Sequence, residues 1–467
     1  MSNSSLDFTT FHNVINGELR SSTTGKTRSS VNTATLEDNA PVPVAGLDDV
    51  NEAVQSAKKA SKAWALIPWA EREKALKAFA DAFEANSSEG VNLSRFEVTG
   101  GIRIIRVMSG FSLPEEVLED SESRKIIMRY TPLGVATGII PWNFPVVMAC
   151  LKAASALTTG NAIILKPSPH APYSVLKIAE LGHRFFPPGV LQALSGDDDL
   201  GPCLIEHPDI NVVAFTGSIG VGKKVMESCS KTMKRCILEL GGNDAAIVCS
   251  GVDVESIAPK LGYYTFANCG QICIIPKRIY AHESIYDKLL AALVNYAENL
   301  SFKLEDELAI GPLSNKPQYE HVKHLLADVE ANKLTVATGS TKPLEDPKGL
   351  FLSPTIIDNP PDDSRVVVEE AFGPVVPVLK WSEESDVIGR ANDTKYGLGA
   401  SVWSRDAAQA NRIARQLEAG TVFINTHGEV DPNIPGGGFK ESGVGVQYGV
   451  EGLKCYCNLQ TIYGRLT

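Results

Sequence analysis

The sequence lacks an uninterrupted apolar stretch long enough to cross a membrane. A spanning helix needs about twenty consecutive apolar residues. The most apolar region, 133–165, is interrupted by five residues that such a helix disfavours, namely Pro141, Asn143, Pro145, Lys152 and Asn161. A buried strand, turn and helix is the better interpretation, so we expect no membrane partner.

A secretory signal is also missing, because residues 1–12 have neither a basic start nor an apolar run. The last four residues, GRLT, are not a peroxisomal address. The nine cysteines show no CxxC spacing of the metal-binding kind, so no metal site is predicted. An odd number of scattered cysteines is typical of free thiols in a reducing compartment. We therefore expect a cytoplasmic protein.

Positive charge is in the minority. Lys and Arg number 44 against 55 Asp and Glu, which gives a net charge of -11. This balance argues against nucleic acid and anionic membranes as partners.

The chain has 467 residues, enough for two to three domains. From residue 135 onward, short apolar strands alternate with helices, and a second alternating set begins near residue 245. This alternation predicts parallel sheets covered by helices on both faces. Short strands and turns are expected over 14–44, and only the remnant of a helix over 97–111.

Cys273 ends the stretch FANCGQIC, and Glu239 lies about thirty residues upstream in the apolar strand of LELGGN. A thiol can attack a carbon and a carboxylate can move protons, as covalent acyl chemistry requires. Taken singly, each has a structural alternative. The cysteine could be an inert buried thiol, and the glutamate could belong to a buried ion pair.

Three further motifs follow predicted strands. Asn143 lies in the rigid turn IIPWNFP, where an amide donor suits a developing oxyanion. Lys166 leaves a strand end in LKPSP and could meet a ribose hydroxyl or a phosphate. The glycines of TGSIGVG, 216–222, stand between a strand and a helix, where backbone can approach a phosphate. The alternatives are a turn asparagine, a solvated lysine and a tight turn.

These separately weak signals have complementary roles, and their combination resembles the NAD(P)-dependent aldehyde dehydrogenase superfamily over about residues 15–462. The motifs that carry the resemblance are PWNFP, KPS, FTGSxxxG, ELGGN, FxNxGQxC, EExFGPV and GGxKxSG. The resemblance implies two doubly wound α/β lobes, a Rossmann-type cofactor domain and a catalytic domain, plus a β oligomerisation arm. It assigns 1–113 and 133–241 to the cofactor domain, 242–441 to the catalytic domain, and 114–132 and 455–467 to the arm.

The resemblance also implies residue roles. Cys273 corresponds to the nucleophile, Glu239 to the general base, Asn143 with the Cys273 N–H to the oxyanion hole, and Lys152 to a proton-relay lysine. The implied cofactor contacts are Ile139, Pro141, Trp142, Lys166, Ser168, Pro169, Thr216, Gly217, Ser218, Gly222, Leu240, Gly241, Glu370 and Phe372. The implied substrate pocket is formed by Phe144, Val147, Met148, Leu151, Ile272, Ile274, Val430 and Gly436.

The implied reaction is oxidation of an aldehyde to the acid through a cysteine thiohemiacetal and thioester, with hydride transfer to the nicotinamide. A homodimer or homotetramer is expected by analogy. Pro169 stands where relatives often carry a ribose-binding glutamate, so NAD is favoured while NADP remains open. The segment 99–113 is shorter than in relatives, and Leu151 and Gly436 replace bulkier residues. These differences predict a wide, apolar entrance for a bulky or long aldehyde.

Three rival interpretations remain at this point. An acylating enzyme that uses coenzyme A would not need Glu239. The same thiol could act without a cofactor as an esterase or isomerase. The chain could also keep the fold without turnover, with 99–113 locally damaged.

Overall fold

A computed structural model describes residues 6–87, 92–304, 306, 309–344 and 348–465. Numbered along the chain, the strands of these residues are β1 Asn13–Ile15, β2 Glu18–Arg20, β3 Thr27–Arg28, β4 Val42–Pro43, β5 Glu116–Asp120, β6 Arg124–Pro132, β7 Val135–Ile139, β8 Ala162–Lys166, β9 Leu191–Ala193, β10 Val212–Thr216, β11 Arg235–Glu239, β12 Asp244–Val248, β13 Pro276–His282, β14 Val336–Thr338, β15 Thr355–Asp358, β16 Val375–Trp381, β17 Gly399–Trp403, β18 Thr421–Ile424, β19 Gly443–Val444 and β20 Cys457–Arg465.

The α-helices of the same residues are α1 Leu47–Trp64, α2 Trp69–Asn86, α3 Asn92–Ser109, α4 Pro145–Thr158, α5 Tyr173–Gly182, α6 Leu200–Glu206, α7 Ile219–Ser230, α8 Val254–Phe266, α9 Tyr286–Glu298, α10 Lys316–Ala331, α11 Arg365–Val368, α12 Glu384–Asn392, α13 Ala407–Ala414 and α14 Gly449–Lys454. None of them is long and apolar enough to cross a membrane.

The first sheet has the strand order β19-β11-β10-β7-β8-β9-β1-β2. Its five central strands are parallel, as the alternating pattern predicted, and antiparallel strands close both edges. Four of the five central strands are buried along almost their full length, because helices cover both faces, with one core cluster on each side.

The second sheet has the order β14-β15-β16-β13-β12-β17-β18, and only its edge strand β14 is antiparallel. Two further core clusters cover its faces. The two doubly wound sheets confirm the predicted α/β fold class. A third sheet, β20-β6-β5, is antiparallel and pairs residues 124–132 with 457–465 along their full length.

The segment after α2 corrects one expectation. Instead of the remnant of a helix, α3 is an 18-residue helix. Gly100 and Gly101 lie at its contact with α4, and a Cβ at Gly101 would meet Cys150 Sγ at 2.9 Å and Val146 Cγ1 at 3.2 Å. The glycines that weakened the helical pattern in the sequence therefore permit close packing. The expectation of local damage is wrong for the described residues 92–113.

This packing gives a stability prediction. We expect Gly101→Ala to destabilise the protein by about 1–3 kcal/mol, because the added methyl overpacks a buried contact. The effect should appear as a lower apparent melting temperature. The matched control is Gly389→Ala in α12, where no atom lies within 4 Å of the added Cβ. That change should be neutral or stabilising, since alanine favours helix more than glycine does. Equal melting temperatures for both variants would contradict the close α3–α4 contact.

Candidate active site

The segment 239–243 joins the two sheets and is tightly enclosed by backbone. A Cβ at Gly241 would lie 2.2 Å from Glu370 Oε2, and one at Gly242 would lie 2.3 Å from the Cys273 carbonyl oxygen. The Gly242 N–H donates to Glu370 Oε1 at 3.0 Å. Because the neighbour of Gly242 is backbone, no side chain fits there, whereas a side chain at Gly241 would displace the Glu370 carboxylate.

Ser442 of the late GGxKxSG motif also holds this segment in place. Its hydroxyl donates to the Gly241 carbonyl at 2.6 Å and accepts from the Gly397 N–H at 2.9 Å. The Leu240 N–H donates to the Ser442 carbonyl at 2.8 Å. Ser442 is fully buried. The motif was noted in the sequence, but this serine's role was not predicted, because its partners are about 45 and 200 residues away.

The nucleophile candidate lies just beyond a strained turn. Asn268 and Cys269 have positive φ angles of 50° and 58°, and the buried Lys277 ammonium donates to the Gly270 carbonyl at 2.6 Å and the Gly373 carbonyl at 3.1 Å. These contacts fix the loop that leads to Cys273. Lys277 follows the motif by four residues and was not singled out in the sequence.

Aromatic rings meet across the two lobes. The Trp142 ring of the PWNFP turn lies 5.4 Å from the Phe372 ring of the FGPV turn, in a T-shaped arrangement. Asn143 Nδ2 donates to the Gln271 carbonyl at 3.0 Å. The amide predicted to hold an oxyanion is therefore beside the nucleophile loop, two residues from Cys273, and satisfied by a protein carbonyl in this structure.

Lys152 and Glu239 form the interior side of the site. Lys152 is fully buried, and its ammonium donates to Thr216 Oγ1 at 2.8 Å. Burial lowers the pKa of Lys152 to about 8, while burial raises the pKa of Glu239 to about 8, with Lys152 opposing that rise. Glu239 Oε1 is buried without a hydrogen-bond partner among the described residues. An orphaned carboxylate oxygen whose proton is easily exchanged near pH 8 suits proton transfer.

Burial raises the pKa of the Cys273 thiol well above its usual range, and the charges of Glu370, Glu239 and Asp244 raise it further. Burial also raises the pKa of the Tyr448 phenol, and the charges of Glu239 and Cys273 raise it further. Tyr448 therefore lies near both groups, in a positive-φ conformation of 63°. It was missed in the sequence because no local pattern marks it.

The motifs expected to hold a cofactor converge on the same edge of the first sheet. The Ser218 hydroxyl caps α7 by accepting from the Val221 N–H at 3.4 Å, which leaves other N–H groups of this helix start available to an anion. Lys166 is only 5% exposed, and the described part of the chain offers its ammonium no hydrogen bond or ion pair. Helix N–H groups and an unpartnered buried ammonium at one edge of a parallel sheet fit a dinucleotide.

The other residues expected to be in the site are placed as follows. Ser168 Oγ accepts from the His170 N–H at 3.2 Å, and Gly222 faces Leu240, whose Cδ2 would lie 2.5 Å from an added Cβ. Ile139, Pro141, Trp142, Phe144, Val147, Met148, Thr216, Gly217, Glu239, Ile272, Cys273, Ile274, Glu370 and Phe372 are all half-buried. Half-buried residues from both lobes are what the walls of a cleft present.

The remaining pocket candidates differ among themselves. Leu151 is buried at 2% exposure and Val430 is 46% exposed. Gly436 pairs with Gln447 through both backbone hydrogen bonds, at 3.0 and 2.8 Å. These contacts place Gly436 in a hairpin-like bridge, while Pro169 follows Ser168 on the loop after β8.

Comparison with known proteins decides the family. The model of the aldehyde dehydrogenase family matches residues 19–462. The chain belongs to the aldehyde dehydrogenase family. This membership identifies it as an enzyme that oxidises aldehydes with a nicotinamide dinucleotide, as its motifs predicted.

Similar proteins agree with this assignment. The putative aldehyde dehydrogenase FUS7 of Gibberella fujikuroi is 40% identical, over 98% of this chain and 99% of its own. The phenylacetaldehyde dehydrogenase of Pseudomonas fluorescens is 35% identical, over 96% and 95%. The NAD+ complex structure of the Bacillus cereus aldehyde dehydrogenase has a TM-score of 0.93 at 33% identity, with 98% and 97% covered.

The carboxylates around the thiol give a prediction. We expect Glu370→Gln to speed alkylation of Cys273 by iodoacetamide about three- to tenfold at pH 9, because one negative charge near the thiolate is removed. The pKa of Glu370 is raised to about 8, by burial above all. Its charged fraction therefore grows from pH 7 to 9, and so should the difference from the wild type.

The readout is mass spectrometry of the Cys273 peptide without cofactor. The substituted amide can still accept from the Gly242 N–H, so the loop is retained. The control is Glu369→Gln, which removes a carboxylate that is ion-paired with Arg365 at 2.6 Å. Equal alkylation rates in wild type and Glu370→Gln at pH 9 would contradict the electrostatic account.

Proposed function

We propose that the chain oxidises a bulky or long apolar aldehyde to the carboxylic acid with NAD+, using Cys273 as nucleophile and Glu239 as general base. The observation that carries this proposal is that Asn143 donates to the Gln271 carbonyl, two residues before Cys273, while the charge of the orphaned Glu239 carboxylate acts on the Cys273 thiol. NAD use is supported by the family and by the NAD+ complex of a similar structure.

The proposed steps follow from the chemistry of these side chains. The Cys273 thiolate adds to the aldehyde carbon, and the oxyanion is held by the Asn143 amide and the Cys273 N–H. Asn143 must then exchange the Gln271 carbonyl for the substrate oxygen. When bound, the dinucleotide supplies the hydride acceptor.

Deacylation is assigned to Glu239. Its carboxylate takes a proton from a water that attacks the thioester carbon, and the thiolate leaves. Lys152 lies behind it, hydrogen-bonded to Thr216, and supports the charged carboxylate. We propose Lys152 as the group that accepts this proton onward, since its own pKa is lowered to about 8 by burial.

The cofactor site is proposed to consist of the loop 216–222, the KPS segment and the Glu370–Phe372 turn. Residues 1–113 and 133–241 are proposed to form the cofactor domain, and residues 242–441 the catalytic domain.

A homodimer or homotetramer is proposed to form through the exposed strand β20 of the third sheet. A monomer measured by light scattering would contradict this proposal. A cytoplasmic location is supported by nine free cysteines, and fractionation tests it.

The division of roles predicts a distinct phenotype for Glu239→Gln. This variant should give a burst of about one NADH per site followed by turnover at least about a hundredfold slower, because acylation survives and deacylation does not. Wild-type turnover should rise with pH toward about 8 as Glu239 ionises.

Rapid-mixing absorbance at 340 nm measures the burst. Cys273→Ser is the matched comparison, and it should lose the burst as well as turnover. A Glu239→Gln variant with normal steady-state turnover would contradict the assignment.

The substrate class is tested with an aldehyde series. The entrance residues Phe144, Val147, Met148, Ile272 and Ile274 are apolar and half-buried, and the Pseudomonas relative is named for an arylacetaldehyde. We therefore expect kcat/KM for phenylacetaldehyde and long-chain aldehydes to exceed that for acetaldehyde by about tenfold or more, at roughly 0.8 kcal/mol per buried CH2.

The series is run with NAD, with NADP and without cofactor. Preference for acetaldehyde would overturn the substrate class. Hydrolysis of an added ester without cofactor would indicate esterase chemistry at the same thiol, and a rearranged aldehyde without cofactor would indicate isomerase chemistry.

A further inference from the structure

We propose that the carboxylate of Asp198 makes this cofactor site select NAD over NADP, in place of the glutamate that Pro169 replaces. This inference deepens the proposed function and rests on its use of NAD. The site would take a dinucleotide whose adenosine ribose carries a free 2′-hydroxyl.

Sheet geometry brings the two segments together. Strands β8 and β9 are parallel neighbours, with Leu165 opposite Ala193, and the Leu194 N–H donates to the Leu165 carbonyl at 3.0 Å. Their carboxyl ends lie at the same sheet edge, where dinucleotides bind in α/β folds. The acidic run 197–199 therefore starts beside the segment 166–169.

A buried cation between these segments has no protein partner. Lys166 is 5% exposed, and among the residues described its ammonium forms neither a hydrogen bond nor an ion pair. Burial lowers its pKa, and of the nearby charges Asp198 acts on it most strongly, ahead of Arg28, Asp197 and Asp199. Because a buried ammonium needs polar partners, this one is available to a ligand oxygen.

The remaining cation at this edge is already neutralised. Arg28 forms an ion pair with Asp197. Burial and the Arg28 charge lower the pKa of His170, so this imidazole is neutral at pH 7. Arg28 and Lys166 contribute two positive charges and residues 197–199 three negative ones, which leaves a balance of minus one.

This balance discriminates between the two cofactors. A 2′-phosphate brings about 1.5 to 2 negative charges, and at this edge it meets Asp198, while the charge of Arg28 is balanced by Asp197. A 2′-hydroxyl is neutral and can donate to a carboxylate. A carboxylate on the loop after the neighbouring strand β9 thus has the role expected of a carboxylate at position 169.

The test measures dissociation constants for NAD and NADP by calorimetry, and kcat/KM for both, in the full chain. Asp198→Asn should strengthen NADP binding at least about tenfold, because like-charge repulsion is removed, with NAD binding changed less than about threefold. Asp198→Glu should keep the wild-type preference. Asp197→Ala combined with Asp198→Asn should improve NADP further, since Arg28 is then released.

The matched control is Asp209→Asn, an acidic residue of the same lobe that pairs with Lys58 at the opposite sheet edge. It should leave the NADP-to-NAD ratio unchanged. An unchanged NADP-to-NAD ratio in Asp198→Asn, or an equal shift of that ratio in Asp209→Asn, would overturn the role of Asp198. Neither result would affect the proposed aldehyde oxidation. Equal affinity of the wild type for both cofactors would overturn the NAD preference as well. Loss of aldehyde oxidation with selective NAD binding intact would overturn the proposed substrate chemistry and support this inference.

Discussion

The hydrogen bond from the Gly242 N–H to the Glu370 carboxylate is the contact on which the geometry of the site depends. It joins the segment that leaves the first sheet to the turn that carries Phe372, and it holds Gly242 against the Cys273 carbonyl. Glu370 is drawn out of water to make it, which raises its pKa. The backbone at Gly242 therefore approaches the Cys273 carbonyl so closely that a side chain on Gly242 would break the contact, and a side chain on Gly241 would displace Glu370.

That approach gathers three acidic side chains around a thiol. Glu370, Glu239 and Asp244 all raise the pKa of Cys273, whereas the buried ammonium groups of Lys152 and Lys277 are engaged by Thr216 and by backbone carbonyls. A nucleophile in such a site is mostly a protonated thiol at neutral pH. The same low-dielectric surroundings hold Glu239 near pH 8, where a carboxylate is a stronger base than in water. Burial therefore both raises the pKa of the Cys273 thiol and makes Glu239 a stronger base.

Much of the fold was predictable because its signals are local. The apolar strands of both sheets, Cys273 at the end of its motif and Asn143 in a proline-bounded turn could all be recognised in windows of about eight residues. The residues that were missed act over long sequence separations. The Ser442 hydroxyl donates to the Gly241 carbonyl, and the charge of Glu239 acts on Tyr448 across about 200 residues of sequence. Helix α3 was misjudged for a related reason, since Gly100 and Gly101 weaken a helix locally and are favoured only by packing on α4.

The ribose-binding carboxylate that relatives often carry at position 169 can be supplied by a different segment of the chain. A proline after the KPS sequence removes a carboxylate from one strand end, but parallel strands present their carboxyl ends side by side. A carboxylate on the loop after β9 acts on the same buried Lys166 from the adjacent position. This edge requires a negative charge near one ribose oxygen, and either strand end can supply that charge. Cofactor choice in such a fold is therefore better inferred from the charge balance along the whole sheet edge than from the residue at one motif position.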